Sequence, residues 1–344
     1  MIDRMRRVAI LVSLGLVLAA CSSGGASPSG TVDLRLGYFP NLTHATAIVG
    51  LDNGIFARNL GSNVHLKTSI FTAGPEEVTA LFSGALDAAY MGPNPAINAY
   101  VKSSGAAIRI ISGATSGGAF LVVKPSINSA ADLKGKKIAA PQLGNTQDVA
   151  LRNWLKSKGL STTTAGGGDV KVVDQDNAQS LDTFKQGSID GAWVPEPWAS
   201  RLVIDGGGKV LVDERDLWPA GKYVTTQLVV RTAFLQQHPD VVENLLKGQV
   251  EANEFVNANA AQAKQIVGAG IQKLTGKALA PAVLDRAWGN LTFTNDPIAS
   301  SLRQSAAASL ALGFISSSDL ANIYDLTLLN KVLVAQGKQA ISTA

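Results

Sequence analysis

The sequence predicts an α/β fold of two lobes, each a sheet flanked by helices, with a two-strand hinge between them. Three observations predict it. Short apolar strands alternate with amphipathic helices from Thr31 onward, the order expected of parallel sheets. A block around Asp87 recurs around Asp190 with the same residue types in the same order. Two apolar extended runs bracket the second copy, as they must if one lobe is inserted in the other and has to be entered and left.

The first residues are set apart from the fold. Arg4, Arg6 and Arg7 form a basic start, and Val8 to Ala20 is apolar. As a helix this run would be about 20 Å long, too short for a hydrocarbon core of about 30 Å, and reads as a cleavable leader over residues 1–20. Leu18-Ala19-Ala20-Cys21 reads as a lipobox, so Cys21 is expected to be lipidated and to become the new N-terminus. It is the only cysteine of the 344 residues, which excludes an internal disulfide and a cysteine metal site or nucleophile. Residues 21–30, rich in Ser and Gly, are expected to be a flexible tether. The expectation is an exported protein held outside the cytoplasm at the cell membrane by a lipid anchor alone.

The net charge of +4 falls to about +2 once the three arginines and one aspartate of residues 1–20 are removed. That balance, with no Lys/Arg run interleaved with aromatics, argues against nucleic acid. The remaining length exceeds one typical core, so two lobes are expected: residues 31–123 with 228–344, and residues 124–227.

Taken in order, Val32–Tyr38 is a strand and Phe39–His44 a loop, and Ala45–Phe56 is a helix closing near Gly54. Val64–Phe71 is the next strand, Thr72–Pro75 a loop and Glu76–Phe82 a helix with Pro75 at its start. In the repeated block, Gly84-Ala85-Leu86-Asp87-Ala88-Ala89-Tyr90 matches Gly187-Ser188-Ile189-Asp190-Gly191-Ala192-Trp193, and each copy runs into a proline-containing loop, Pro93-Asn94-Pro95 and Glu196-Pro197-Trp198. Asp87 and Asp190 are expected to end their own helix–strand turns. The extended runs are Phe120–Val123 and Thr225–Val230. From Phe234 onward the periodicity is helical, with no further strand pattern, and this part is expected to pack on the first lobe.

The stretch that points to a site is Pro141 to Asp148. Lys137–Ala140 reads as a strand, and Val149, Leu151, Trp154 and Leu155 recur at helical spacing before Gly159. Strand, polar glycine-containing loop and helix aim backbone N–H groups and the positive end of a helix dipole at one point, which suits a small anion. An ordinary helix start capped by Asn145 or Thr146 is the alternative reading of this stretch.

Several motifs together resemble a known family: Gly37-Tyr38-Phe39-Pro40-Asn41-Leu42-Thr43-His44-Ala45, Gly92-Pro93-Asn94-Pro95-Ala96, Asp132-Leu133-Lys134-Gly135-Lys136-Lys137, Pro141–Asp148 and Trp193-Val194-Pro195-Glu196-Pro197-Trp198. They are similar to the solute-binding proteins of the nitrate/sulfonate/taurine ABC importers, with the aliphatic-sulfonate binders nearest. The resemblance implies the type II periplasmic binding protein fold, closing on its ligand by a hinge. It implies a small organic anion as ligand, a separate permease with ATPase subunits as partners, a monomer, no cofactor, no metal and no enzymatic activity. It places Asn41, Thr43 and His44 on one wall with Gly74 and Asn94 beside them, and Gly144, Asn145, Thr146 and Gln147 on the other. Tyr38, Trp193 and Trp198 would flank a tail or belong to the core. Glu196 would accept from a ligand amine or hold the hinge. His65 and His238 are expected to be peripheral. Alternatives under the same fold are nitrate or bicarbonate, a thiamine-type pyrimidine precursor, or a fold-related biosynthetic enzyme.

Overall fold

The computed structural model describes residues 30–343; the leader, Cys21 and all of the tether except Gly30 lie outside them. The elements follow in order: β1 (Val32–Tyr38), α1 (Ala45–Asp52), α2 (Ile55–Leu60), β2 (Val64–Ile70), α3 (Gly74–Phe82), β3 (Ala88–Met91), α4 (Pro93–Lys102) and β4 (Ile108–Gly117). Then come β5 (Ala119–Val123), β6 (Lys137–Ala140), α5 (Thr146–Ser157), β7 (Lys171–Asp174), α6 (Asn177–Lys185), β8 (Gly191–Pro195), α7 (Trp198–Ile204) and β9 (Lys209–Asp213). The chain closes with β10 (Val224–Arg231), α8 (Thr232–Gln237), α9 (Pro239–Ala258), α10 (Ala260–Thr275), α11 (Pro281–Trp288), β11 (Leu291–Phe293), α12 (Ala299–Ala311) and α13 (Thr327–Ala335).

These strands form two sheets, ordered β11-β4-β10-β3-β1-β2 and β7-β6-β8-β5-β9. The inner order is the same in both. Three parallel strands (β2-β1-β3 and β7-β6-β8) are followed by one antiparallel strand, β10 or β5, and then by β4 or β9. The repeat seen in the sequence is therefore a repeat of topology. It extends to single hydrogen bonds. Asp87 Oδ2 accepts from the N–H of Arg35 at 3.0 Å, and Asp190 Oδ2 accepts from the N–H of Lys137 at 2.9 Å. Both aspartates thus tie their turn to the neighbouring parallel strand, β1 or β6, rather than only closing their own turn. Asp87 also pairs with Arg35 and Arg231.

Each sheet is covered on both faces. Leu34, Leu36, Tyr90 and Leu228 meet α1, α2 and α9 on one face of the first sheet, while Ala89, Met91 and Val229 meet residues of α3, α4 and α12 on the other. In the second sheet Leu121, Ile138 and Trp193 pack with α5, while Val122, Ala139 and Val194 pack with α6 and α7. Near-continuous burial along β3, β5 and β8 is what sheets covered on both faces require.

Three expectations are corrected. The Ala45–Phe56 helix is two helices, because Gly54 stands at φ +67 and starts a new one. A strand does exist after Phe234: β11 pairs with Thr115–Gly117, and its three residues are too few for an alternating pattern to show. The lobe boundaries at 123/124 and 227/228 also shift. β5 lies wholly in the second sheet, bonded on both sides to β8 and β9, and residues 224–227 lie in the first. The chain crosses between sheets at Gly117–Gly118 and again over residues 214–223. Both glycines have positive φ, and a Cβ on Gly118 would sit 2.2 Å from Leu291 Cδ2, so the first crossing admits no side chain.

Candidate functional site

The carboxyl ends of the parallel strands point toward the seam between the lobes, where open α/β sheets place their ligands. A cavity of about 30 Å3 lies there, lined from one side by Asn41, Thr43, His44, Thr225 and Thr226 and from the other by Asn145, Thr146, Gln147 and Asn177. Four helical starts stand at its wall: the single turn Leu42–His44 that leads into α1, α4 just after Gly92, α5 at Thr146 and α6 at Asn177. The first N–H groups of a helix have no intrahelical partner and carry the positive end of its dipole, so four such ends make a field that favours an anion.

The second wall is the Pro141–Asp148 loop. Asn145 caps α5, its Oδ1 accepting from the Thr146 N–H at 2.9 Å. Asp148 in the first turn accepts from the Gly144 N–H at 2.9 Å and from Arg152 Nε at 2.7 Å, which holds the loop against the helix from behind. Burial pushes the Asp148 carboxyl up and the Arg152 guanidinium pulls it back. This pair is almost wholly buried, and neither residue lines the cavity.

His44 is buried, and desolvation lowers its pKa to about 3. Its Nδ1 accepts from the Phe39 N–H at 3.2 Å, so the neutral ring carries its proton on Nε2 and remains a donor. The lining contains no Lys, Arg, Asp or Glu. Thr146 Oγ1 and Asn177 Oδ1 are buried there without a hydrogen-bond partner among the described residues, which leaves polar capacity aimed at whatever the chamber holds. The Thr146 hydroxyl, His44 Nε2 and the helix ends can donate to a small oxyanion without a buried counter-cation, whereas Asn177 Oδ1 is an acceptor. Among the described residues no cluster of His, Cys, Asp or Glu could hold a metal ion.

Of the sequence-derived residues, Asn41, Thr43, His44, Asn145, Thr146 and Gln147 meet at this chamber. Gly74 packs under it, where a Cβ would lie 2.1 Å from Pro95 Cγ. Gly144 turns its carbonyl outward to Asn98 Nδ2 at 3.3 Å. Asn94 lines a neighbouring cavity and donates to Ser309 Oγ at 2.8 Å. Of the two roles expected for Glu196, its contacts fit the hinge strut: its carboxylate accepts from Ser200 N–H at 3.0 Å, Ser200 Oγ at 2.8 Å and Asn290 Nδ2 at 2.8 Å. Those bonds cap α7 and bridge the lobes, and Glu196 does not line the chamber. Tyr38 and Trp193 are core residues, whereas Trp198 donates across the seam to Asn41 Oδ1 at 2.9 Å. His65 is exposed, and His238 packs against Phe234 away from the site.

Sequence reasoning missed Thr72, Asn177, Thr225 and Thr226. A signal for Asn177 exists: Asp174-Gln175-Asp176-Asn177 is a polar run between a strand and a helix, as at Pro141–Asp148. Thr225 and Thr226 were hidden inside an apolar run. The lobes stand together over the chamber. Besides Trp198–Asn41 and Asn290–Glu196, Gln142 Nε2 donates to Glu76 Oε1 at 3.0 Å and Lys156 Nζ to the Ala311 carbonyl at 3.2 Å. A Cβ on Gly92 would come within 2.4 Å of Thr146 Oγ1, so the first sheet's α4 loop meets α5 with no room between them.

Comparison with known proteins gives the family and agrees with the fold. Residues 27–269 match the NMT1-like family. A putative binding protein of Brucella abortus is 27% identical over 264 residues, 76% of this chain and 77% of its own. The taurine-binding periplasmic protein of Escherichia coli is 30% identical over 213 residues, 62% of this chain and 63% of its own. Among solved structures, the alkanesulfonate-binding protein SsuA from Xanthomonas axonopodis pv. citri, bound to MOPS, superposes with a TM-score of 0.70 at 19% identity, covering 86% of this chain and 99% of that one. The likeness extends the fold match over both lobes.

Proposed function

Because this chain belongs to the NMT1-like family, and its chamber is lined by uncharged side chains and helix N-termini, we propose that it is the substrate-binding component of an ABC importer, capturing a small organic anion between its lobes. The observation that carries the reading is the convergence of four helix starts on a chamber without a charged side chain. An aliphatic sulfonate is the favoured head group: three equivalent oxygens can each take a neutral donor, and its charge persists at all physiological pH. Taurine-binding and alkanesulfonate-binding proteins among the relatives and neighbours support that class.

The mechanism is capture by closure. Ligand enters between open lobes and first meets one wall. Its oxygens then complete the hydrogen bonding of Thr146 and the α5 and α6 termini as the second wall arrives. The interlobe bonds described above add to the closed form, and that form presents both lobes at once to a permease with its ATPase subunits. Reaction chemistry is not part of this reading. The chain would act as a monomer outside the cytoplasm, anchored through lipidated Cys21.

A thermal-shift screen of the soluble domain from Ser22 tests the ligand class, since a ligand bound only by the folded state must raise the midpoint. The panel holds C1–C8 alkanesulfonates, taurine, nitrate, bicarbonate and thiamine-type pyrimidines. Sulfonates should shift the midpoint most, and Asn145→Ala with Thr146→Ala should weaken that binding 10- to 100-fold, on the order of 1–3 kcal/mol. A pyrimidine as the only active compound would overturn the proposal. In cells, Cys21→Ser should move the protein from the membrane to the soluble extracytoplasmic fraction, and retention at the membrane would refute the anchor.

A further inference from the structure

A second and larger cavity, about 260 Å3, adjoins the polar chamber, and Thr146 lines both. Its walls come from both lobes: α5 and residues 214–218 on one side, Pro93, Val224 and α12 on the other. It is therefore complete only when the lobes are together. Its chemistry is unlike that of the chamber. Trp154, Leu217, Trp218 and Tyr223 supply apolar and aromatic surface, with Trp218 and Tyr223 stacked at 5.4 Å between ring centroids.

One ionisable carboxyl stands in this wall. Glu214 is buried and accepts from Trp193 Nε1 at 2.8 Å and Trp218 Nε1 at 3.4 Å. No cation pairs with it among the described residues, and the cavity lining contains no Lys, Arg or His. The adjacent Asp213 is already taken by Arg215 at 2.6 Å. A buried carboxylate is costly unless paired, and aromatic faces attract cations with bulky, weakly hydrated bodies.

We propose that the Glu214–Trp218–Tyr223 cavity is a binding site for an organic ammonium group, protonated or quaternary. Two sources share this chemistry: a free organic cation, or a nitrogen on the body of the captured anion, in which case the cargo is a zwitterion. The second source rests on the anion reading above, whereas the site itself does not. Burial holds the Glu214 pKa at about 7, with Asp213 adding repulsion and the two indoles opposing it. A cation in the cavity would draw the carboxyl back to its ionised form.

The probes are choline, 3-(trimethylammonio)propane-1-sulfonate and its uncharged-tail counterpart 1-butanesulfonate, read by calorimetry and by the emission of the cavity tryptophans. Wild-type protein should bind at least one ammonium probe. Glu214→Gln should weaken that probe tenfold or more and leave 1-butanesulfonate within twofold. Trp218→Leu, which spares the carboxyl, should also weaken the ammonium probe if Glu214→Gln fails to fold. Choline binding alone identifies a free cation, and binding only when the sulfonate is attached identifies the cargo's own nitrogen. Either supports the site. The proposal is overturned if neither ammonium probe binds, or if the folded variants change the zwitterion and 1-butanesulfonate equally. Choline binding with no sulfonate binding would refute the anion reading and leave this one standing.

Discussion

Gly92 tests whether closure of these two particular walls is what holds the ligand. It precedes α4 at φ −70, ψ 165, a conformation open to any residue, so Gly92→Ala carries no backbone strain. The new methyl would lie 2.4 Å from Thr146 Oγ1 and 3.4 Å from Thr146 Cβ, across the seam between lobes. Two responses can relieve it. The lobes part by about 1 Å at this point, which breaks or weakens the Gln142–Glu76, Asn98–Gly144 and Trp198–Asn41 bonds at 3.0, 3.3 and 2.9 Å. At about 0.5–1.5 kcal/mol each, that costs roughly 2–4 kcal/mol of closing free energy. Alternatively Thr146 rotates and withdraws its hydroxyl from the anion, losing about 1.5–3 kcal/mol. Either way, affinity should fall on the order of 10-fold or more, while the unfolding free energy stays within about 1 kcal/mol of wild type. Calorimetric titration with the best ligand, beside a denaturant melt, measures both. On a Thr146→Ala background the obstruction is gone, and adding Gly92→Ala should cost less than twofold further. A folded Gly92→Ala protein that binds within threefold of wild type would refute the reasoning, as would an undiminished loss in the double variant.

Three further outcomes follow from the buried groups. His44, with its pKa lowered to about 3 by desolvation, stays neutral from pH 8 to 5, so its own titration should put no step into the affinity for a plain alkanesulfonate across that range. Its folded value lies below the unfolded one, so the stability it contributes is full above about pH 6.5 and lost as pH falls from there toward 3; His44→Gln should remove that slope in denaturant melts across pH. Glu214 has the opposite sign. Its carboxyl is held at about 7 in the folded protein, so stability should fall as pH rises from about 4.5 through 7, by at most about 3 kcal/mol, and Glu214→Gln should flatten this limb. Glu196→Ala strands the partners of three hydrogen bonds and should lower unfolding free energy by about 2–4 kcal/mol. Its effect on binding should be the same for taurine and ethanesulfonate; a loss confined to taurine would return Glu196 to the ligand.

The residue order by itself determined the alternation of strands and helices, the repeat around Asp87 and Asp190, and the loop from Pro141 to Asp148. These are local patterns: hydrophobic period, glycine placement and capping residues act over a few neighbours and are written along the chain. Tertiary structure decided the rest. Only in the folded chain do β5 and β10 take corresponding places in opposite sheets, because strand exchange is a matter of pairing partners rather than of propensity. Only there do Asn177, Thr225 and Thr226 join His44 and Thr146 around one chamber, from positions far apart in sequence. The two buried glutamates show the same division. Read as letters, Glu196 is open to a ligand amine or to the hinge, and Glu214 carries no signal. Packing gave one of them Ser200 and Asn290 and left the other facing a cavity, and the cost of burying an unpaired charge separates their roles.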